Sequence, residues 1–511
     1  MVGSRLLAPS FGTSIYVWGS LIVVVMAALT LGYYCGGRIA DKYPSFMILG
    51  AILGTAGIFI GFLPFWTQPV NSLCSSLEPR TGSLLASFAF FFFPSVMLAT
   101  VSPFGIKLTG RSLNTIGNTA GNMSAVSTAG SIIGTLLTSF FLIPAMGVRN
   151  IVHSLGLILL LLSLLSLALA WKRPADNRHP SPNPLMVMIF FVFFSIMVLF
   201  LMWIVVPNQT NLHGEGKTLY SRDSLYHHIT VDEIDTERHL HFDNSYQSAI
   251  YPDRPLKMVF PYTSYLHLGV VARPQPSRAL FIGLGGGSAP KKFLYDYNSL
   301  ETIDIVEIDP ETAKVAYRYF QLPDDPRFQV IVQDGRLYVE KMAREIAAGK
   351  AEPYDIIVID AYSSSTIPYH LTTREFVQTV RKIMSPNAVV VSNIIGAVTG
   401  PYSQLLLSMK RTFDTAFPQS YLFPVGGWRG PDDIFERNVI LVATMNPKRW
   451  DSKTWLEKAG LFHDTGVITE DVPEYAQDLV DEAVIREQYR LAGIPVLTDD
   501  YAPVDTLKNP L

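Results

Sequence analysis

Four carboxylates close apolar runs in the second half of this chain. Glu307 and Asp309 end Ile303-Asp-Ile-Val-Glu-Ile-Asp309, Asp334 stands in Val332-Gln-Asp-Gly335, and Asp360 ends Tyr354-Asp-Ile-Ile-Val-Ile-Asp360. Upstream, Ala279-Leu-Phe-Ile runs into Gly283, Gly285, Gly286 and Gly287 before Ser288. These residue types suit nucleoside binding. Glycines let the backbone approach a ligand closely. A carboxylate ending the next strand, here Glu307, can accept both hydroxyls of a ribose. Asp309 is placed to cap a helix starting at Pro310, and Asp334 beside Gly335 can accept a hydrogen bond from an adenine amino group. Taken singly, the glycine run is equally a tight strand–helix turn, and Asp334-Gly335 equally a plain turn. The three in order, each at a strand end, are far more specific than any one. Asp360 is the candidate catalytic residue, because partial desolvation at the rim of an apolar strand tunes a carboxylate toward general-base work. Its ordinary alternative is to cap a helix or order a loop. The segment Ala361-Tyr-Ser-Ser-Ser-Thr-Ile-Pro368 follows as a loop able to close over a substrate.

The elements that must position these residues follow from periodicity. After position 277, strands at 278–284, 301–308, 328–333, 354–360, 387–393, 419–425 and 437–444 alternate with helices such as 310–320, 336–348 and 371–384. That order predicts an α/β, seven-stranded, methyltransferase-like (Rossmann-like) doubly wound sheet, with ligands beyond the carboxyl ends of its strands. Ahead of it, 219–251 reads as a small antiparallel β layer, with strands at Ser224–Val231 and Arg238–Phe242 and a turn at Asp243-Asn244. Residues 446–495 read as helices whose Trp450 and Trp455 cover the sheet edge. Leu497–Pro503 is placed to return toward the site through Asp499 and Asp500. His213, His227, His228, His239 and His241 gather near the β layer without the spacing of a metal set, so no metal is expected.

Composition divides the chain. Of 511 residues, 49 % are hydrophobic and 16 % charged. Residues 1–206 hold 10 Lys and Arg against 3 Asp and Glu, whereas the remainder is acidic. The first part contains about six apolar stretches of membrane-spanning length, 15–37, 46–66, 83–104, 122–144, 150–171 and 185–206. Trp18, Trp66, Trp171 and Trp203 lie near their ends as interfacial anchors. Small residues in the fourth stretch (Ser124, Ala125, Ser127, Ala129, Gly130, Ser131, Gly134) would allow close helix packing there. Intramembrane charges are nearly absent, which favours an anchor or scaffold over a transport path. Cys35 and Cys74 have no ligand spacing, and nothing in the acidic half suits nucleic acid. Domains are therefore expected at 1–206 (multi-span α-helical membrane domain), 207–275 (β layer) and 276–511 (nucleoside-binding α/β transferase). The basic loops 38–45, 105–121 and 172–184 should face the cytoplasm. With six spans that would place the second half outside, away from a cytosolic donor, so the expected location is a multi-pass cell-membrane protein with its side left open.

At these positions the sequence resembles the polyamine aminopropyltransferases, the spermidine synthase family, over roughly 220–445. It is similar in particular to bacterial forms in which this domain follows a multi-span membrane region. Arg5-Leu-Leu-Ala-Pro9, Gly36-Gly-Arg-Ile-Ala-Asp41 and Leu497-Thr-Asp-Asp-Tyr-Ala-Pro503 look like features of those fusions, and the likeness implies a further apolar segment ahead of Met1. It implies transfer of an aminopropyl group from decarboxylated S-adenosylmethionine to an amine acceptor such as putrescine. Glu307 would hold the ribose, Asp334 and Gly335 the adenine, and Asp360 would act as base. Tyr226, His227, Tyr262, Ser288, Tyr362, Ser363 and Pro368 would face the substrates. Several positions depart from the family pattern. His227 stands for an expected Gln, Thr263 and Ser264 follow Tyr262 where a His-Glu pair is expected, Ser288 replaces an acidic residue, and Ser363, Ser364 and Ser365 occupy the stretch of a second carboxylate. Carboxylates offset the desolvation of a dicationic amine, so these departures weaken putrescine as acceptor and leave the fold reading intact. Two other readings stay open. One is an S-adenosylmethionine-dependent methyltransferase with a membrane-associated acceptor. The other is a non-catalytic polyamine or nucleoside sensor or transporter. Expected partners are a small amine and the lipid bilayer, without nucleic acid, and a homodimer is compatible.

Overall fold

In the computed structural model, residues 2–11, 15–75, 77–110, 116–143, 148–172, 216–243, 245–362, 367–468, 470–491 and 493–508 are described. The chain divides into two compact units, Met1–Gly214 with Arg222–His228, and Glu215–Ser221 with Ile229–Leu511.

Five helices of the first unit are long and apolar enough to cross a membrane: Tyr16–Lys42, Phe46–Ser75, Arg80–Thr109, Ile116–Leu142 and Val148–Trp171. They coincide with the first five predicted spans; the sixth, 185–206, and Trp203 lie outside the described residues. Close packing occurs at other helices. A side chain on Gly156 would lie 2.5 Å from the Cα of Gly61, and Ser163 Oγ donates to the Gly50 carbonyl at 2.6 Å, so small residues bring the helices Phe46–Ser75 and Val148–Lys172 together, as Gly32 and Gly36 do for Tyr16–Lys42 against Arg80–Thr109. The helix Ile116–Leu137, which holds the small residues of the fourth stretch, has no buried residue among those described. Small residues permit close approach but do not supply the partner.

In the second unit, β1 (Lys217–Asp223), β2 (His228–Ile234), β3 (Glu237–Phe242) and β4 (Ser245–Ile250) form an antiparallel sheet in that order. The expected strand Ser224–Val231 is broken. Ser224 N–H donates to the His227 carbonyl at 2.8 Å, and Ser224 Oγ accepts from the N–H groups of Tyr226 and His227 at 3.0 and 2.9 Å, so 224–227 is a turn between β1 and β2. Asp243, at φ +56°, turns β3 into β4. Ile229, Val231, Leu240 and Phe242 pack on Val315 and Phe320, seating the layer against the helix Pro310–Tyr319 and its end.

The larger sheet has seven strands: β5 (Arg278–Ile282), β6 (Thr302–Glu307), β7 (Phe328–Val332), β8 (Tyr354–Ile359), β9 (Met384–Gly396), β10 (Gln419–Pro424) and β11 (Arg437–Thr444), in the order β10-β11-β9-β8-β5-β6-β7. Strands β9, β8, β5, β6 and β7 run parallel, and β11 is antiparallel to both β9 and β10. Every strand was anticipated to within three residues at each end. The central strands are mainly apolar on both sides because both faces are covered. Leu280, Ile282, Ile357 and Val390 face one core, and Phe281, Ile303, Ile356 and Val391 the other. Trp455, fully buried on the helix Ser452–His463, packs edge-on against Tyr421 and Phe423 of β10 with ring centroids 5.2 and 5.1 Å apart, covering that edge strand.

Candidate functional site

The carboxyl ends of β5, β6 and β8 meet at the glycine turn. Asp360 N–H donates to the Ile282 carbonyl and Gly283 N–H to the Val306 carbonyl, both at 2.9 Å. Gly283 has φ +104°, and a methyl group there would lie 2.2 Å from the Asp360 carbonyl oxygen. Glycine is therefore required twice over, for the left-handed backbone and for the contact that sets Asp360 beside the turn. Gly287, at φ +73°, precedes the helix Ser288–Asp296, and Gly285 also has positive φ. Ser288 Oγ donates to the Ala249 carbonyl at 3.3 Å.

Glu307 is buried at the end of β6. Its Oε2 accepts from the Leu284 N–H of the glycine turn at 3.2 Å, and its Oε1 from the Asp309 N–H at 2.9 Å. Asp309 caps the following helix by accepting from Glu311 N–H at 2.9 Å. Asp334 likewise caps the helix Gly335–Ala347 through Leu337 N–H at 3.0 Å, while its Oδ2 faces His370 Nε2 at 3.4 Å. A side chain on Gly335 would meet Ile282 Cγ2 at 2.6 Å, so this turn also presses against β5.

Asp360 is held differently, by a side chain at each oxygen among the described residues. Tyr262 Oη donates to Oδ2 at 3.1 Å and Asn393 Nδ2 to Oδ1 at 2.9 Å. Burial pushes this carboxyl above its ordinary value, and the two donors pull it partly back. Burial, and then the Asp360 charge, push the Tyr262 phenol well above its usual range, so it stays a donor. Tyr362 serves as a staple. Its hydroxyl accepts from Ile395 N–H at 2.8 Å and donates to the Asn393 carbonyl at 3.2 Å, filling the ladder positions on β9 where β8 has ended. The result is a partly desolvated carboxyl oriented by two side chains, next to a glycine turn that binds the carboxylate of Glu307.

Tyr262, Glu307, Asp360 and Gly283, Gly285 and Gly287 are thus gathered at one end of the sheet. Pro368 precedes the single turn Tyr369–Leu371. Tyr226 and His227 lie in the 224–227 turn, which belongs with the first unit. Ser363, Ser364 and Ser365 lie outside the described residues. Asp499 does not offer a free charge for an amine. Arg336 donates to both of its oxygens at 2.7 and 2.6 Å and Thr373 Oγ1 to one at 2.7 Å, which holds its carboxyl down at about 2. Sequence reasoning missed Asn393 and Asn438. The available signal was an amide interrupting Val389-Val-Val-Ser-Asn-Ile-Ile395, where an otherwise apolar strand must give each buried polar group a partner.

The spermine/spermidine synthase domain model matches residues 259–423. A polyamine aminopropyltransferase of Vibrio vulnificus is 30 % identical over 300 residues, which cover 58 % of this chain and 93 % of that one. The human eEF1A lysine and N-terminal methyltransferase is 31 % identical over 181 residues, 34 % of this chain and 24 % of that protein. Among solved structures, a probable spermidine synthase from Corynebacterium glutamicum aligns with a TM-score of 0.44 at 18 % identity, covering 55 % of this chain and 96 % of its own.

Proposed function

Because this chain belongs to the spermidine synthase family and is an enzyme of the polyamine aminopropyltransferase type, we propose that it moves an aminopropyl group from decarboxylated S-adenosylmethionine to a small amine such as putrescine. The observation that carries this reading is Asp360, a carboxyl raised by desolvation and oriented by Tyr262 and Asn393 against the glycine turn. The turn fits a nucleoside, since at Gly285, with φ +53°, an added side chain would meet nothing closer than Ser248 Cβ at 3.7 Å, and Glu307 ends the next strand as an acceptor carboxylate bound to the same turn.

When bound, the donor supplies an aminopropyl carbon on a sulfonium, with methylthioadenosine as leaving group. Glu307 would bind the ribose hydroxyls, with Asp334 and Gly335 at the adenine. Asp360 accepts a proton from the attacking nitrogen as the carbon–nitrogen bond forms and the carbon–sulfur bond breaks, its electron pair leaving with sulfur. The raised carboxyl is the better proton acceptor, which is the use of its desolvation. Tyr262 remains protonated and steadies the carboxylate. We assign the membrane helices within 1–206 to anchoring the catalytic unit (207–275 with 276–511) at a lipid bilayer.

Mass spectrometry of products tests this reading. Full-length protein receives decarboxylated and intact S-adenosylmethionine separately, with polyamines and membrane lipids. Methylthioadenosine that requires an amine and vanishes in Asp360→Asn is the expected result. S-adenosylhomocysteine instead would establish the second reading, methyl transfer. That reading is favoured by the human methyltransferase similarity and by Ser288, which leaves room for the methionine carboxylate an acidic residue would repel.

A further inference from the structure

Asn393 and Asn438 extend the hydrogen-bond network of Asp360 away from the pocket. Asn393 lies on β9 and Asn438 on the neighbouring β11, where Ile395 is paired with Asn438 and Ile440 with Asn393, so the two amides are diagonal neighbours. Asn438 Nδ2 donates to Asn393 Oδ1 at 3.0 Å, and Asn393 Nδ2 donates to Asp360 Oδ1 at 2.9 Å. An ionised carboxylate only accepts, whereas an amide has one accepting and one donating end. Asp360 therefore requires the NH2 end of Asn393, which turns the carbonyl end toward Asn438 and requires the NH2 end of that residue in turn. The direction of donation is the same along the whole chain, and it ends on the base.

We propose that Asn393 and Asn438 form an amide relay that positions Asp360, with Asn438 fixing which end of the Asn393 amide faces the carboxylate. The inference rests on Asp360 being the base. Neither asparagine is assigned a contact with substrate; both are positioning residues. Reversing the relay would aim the Asn393 carbonyl oxygen at Asp360, replacing attraction with repulsion and favouring the protonated carboxyl. The other titratable groups facing Asp360 are Tyr262 and Tyr362. Both are held above the ordinary phenol range, by burial and by the Asp360 charge, with Glu436 adding to the effect on Tyr362. Neither changes charge in the range where a carboxylate base would titrate.

A double-mutant cycle read as pH profiles of kcat tests the relay in the full-length enzyme. Asn393→Leu removes the donor at nearly constant volume and should lower kcat about 10–100-fold, the scale of a hydrogen bond to a charged group, with the acid limb moved to higher pH. Asn438→Asp presents only acceptors, inverts the Asn393 amide, and should cost as much. In the Asn393→Leu background the same Asn438→Asp change acts through charge alone and should cost less than about threefold more. Asn438→Leu removes the donor that fixes the Asn393 amide without opposing it, so it should lower kcat about 3–10-fold, less than Asn438→Asp, with the acid limb moved the same way. Additive losses in the double variant, or an unmoved acid limb in Asn393→Leu, would overturn the relay. Melting temperature and methylthioadenosine binding, measured on each variant, separate misfolding from misorientation. If Asn438→Asp fails to fold, Asn438→Leu decides the matter: parental kcat and an unmoved acid limb there would overturn the relay. Asp360→Asn runs alongside: full turnover there removes the premise, whereas an inactive Asp360→Asn with an additive cycle removes only the relay.

Discussion

Glu307 and Asp360 both end central strands of one sheet, yet they are held by different parts of the chain. Glu307 receives backbone N–H groups, from Leu284 in the glycine turn and from Asp309 at the head of the next helix. Asp360 receives side chains, Tyr262 from a helix outside the sheet and Asn393 from β9. A carboxylate bound by backbone is part of how the turn folds, and neighbouring side-chain substitutions leave its donors in place. A carboxylate bound by side chains can be retuned one residue at a time. By the resemblance read from the sequence, the positions expected at the nucleoside keep the family pattern, and those expected at the acceptor, Ser288 and Ser363–Ser365, depart from it. That division follows the same line.

The contrast can be broken or sharpened by mutation. Asp360→Asn should reduce turnover by about 10²–10⁴-fold, the usual contribution of a general base, while melting temperature and nucleoside binding stay near the parent's. A large loss of stability would show that Asp360 too is structural. Gly283→Ala should fail in the opposite manner. Its methyl group would meet the Asp360 carbonyl at 2.2 Å on left-handed backbone, so unfolding free energy should fall by roughly 2–4 kcal/mol, read by denaturant titration. Glu307→Gln should raise the donor KM about 10–100-fold and also lower the melting temperature, because one amide oxygen cannot serve both backbone donors as the carboxylate does. An unchanged melting temperature would remove the structural half of the comparison.

Tyr262→Phe should have a smaller effect, about 3–10-fold on kcat/KM, the scale of one hydrogen bond. The sign is determined by what the tyrosine does. Its donated bond lowers the Asp360 carboxyl, so its loss raises that carboxyl, and the acid limb of the profile moves to higher pH. A limb that moves down would mean the carboxyl acts in its protonated form. The smallest effect is expected at the half-exposed Asp499–Arg336 pair. Arg336 holds the Asp499 carboxyl down at about 2, so the pair's contribution is present above the unfolded value of about 4 and lost as pH falls through about 2. Asp499→Asn should cost no more than about 1 kcal/mol at neutral pH, given the pair's exposure to solvent. Turnover should be unaltered, since that charge is already neutralised.

Much of this architecture is visible in one dimension because it depends on period and on strand ends. Valine, isoleucine and leucine runs bounded by glycine or aspartate mark β5, β6 and β8, and the residue just past each run must stand at the carboxyl edge. That is how Gly283, Glu307, Asp334 and Asp360 were found. The apolar stretches near 15–171 were equally plain, since about 20 uncharged residues suffice to identify a span. The 224–227 turn was missed because Ser224 overrides an apparent strand by a local side-chain bond. Which helices pack closely was not legible, because small residues record a capacity for contact rather than its partner.

The amino-acid order by itself determined the division into an apolar helical part and an α/β part, the sheet, and which residues reach its carboxyl edge, because each is a local pattern repeated along the chain. Only the tertiary structure decided what those residues face. Tyr262, Asp360, Asn393 and Asn438 span 177 positions and meet through three strands and a helix, and no periodicity carries that information. The same holds for Asp499, whose pairing with Arg336 rests on a contact 163 positions away. Distance along the chain says nothing of donor and acceptor geometry, and that geometry sets the oriented Asp360 carboxyl apart from an ordinary buried carboxylate.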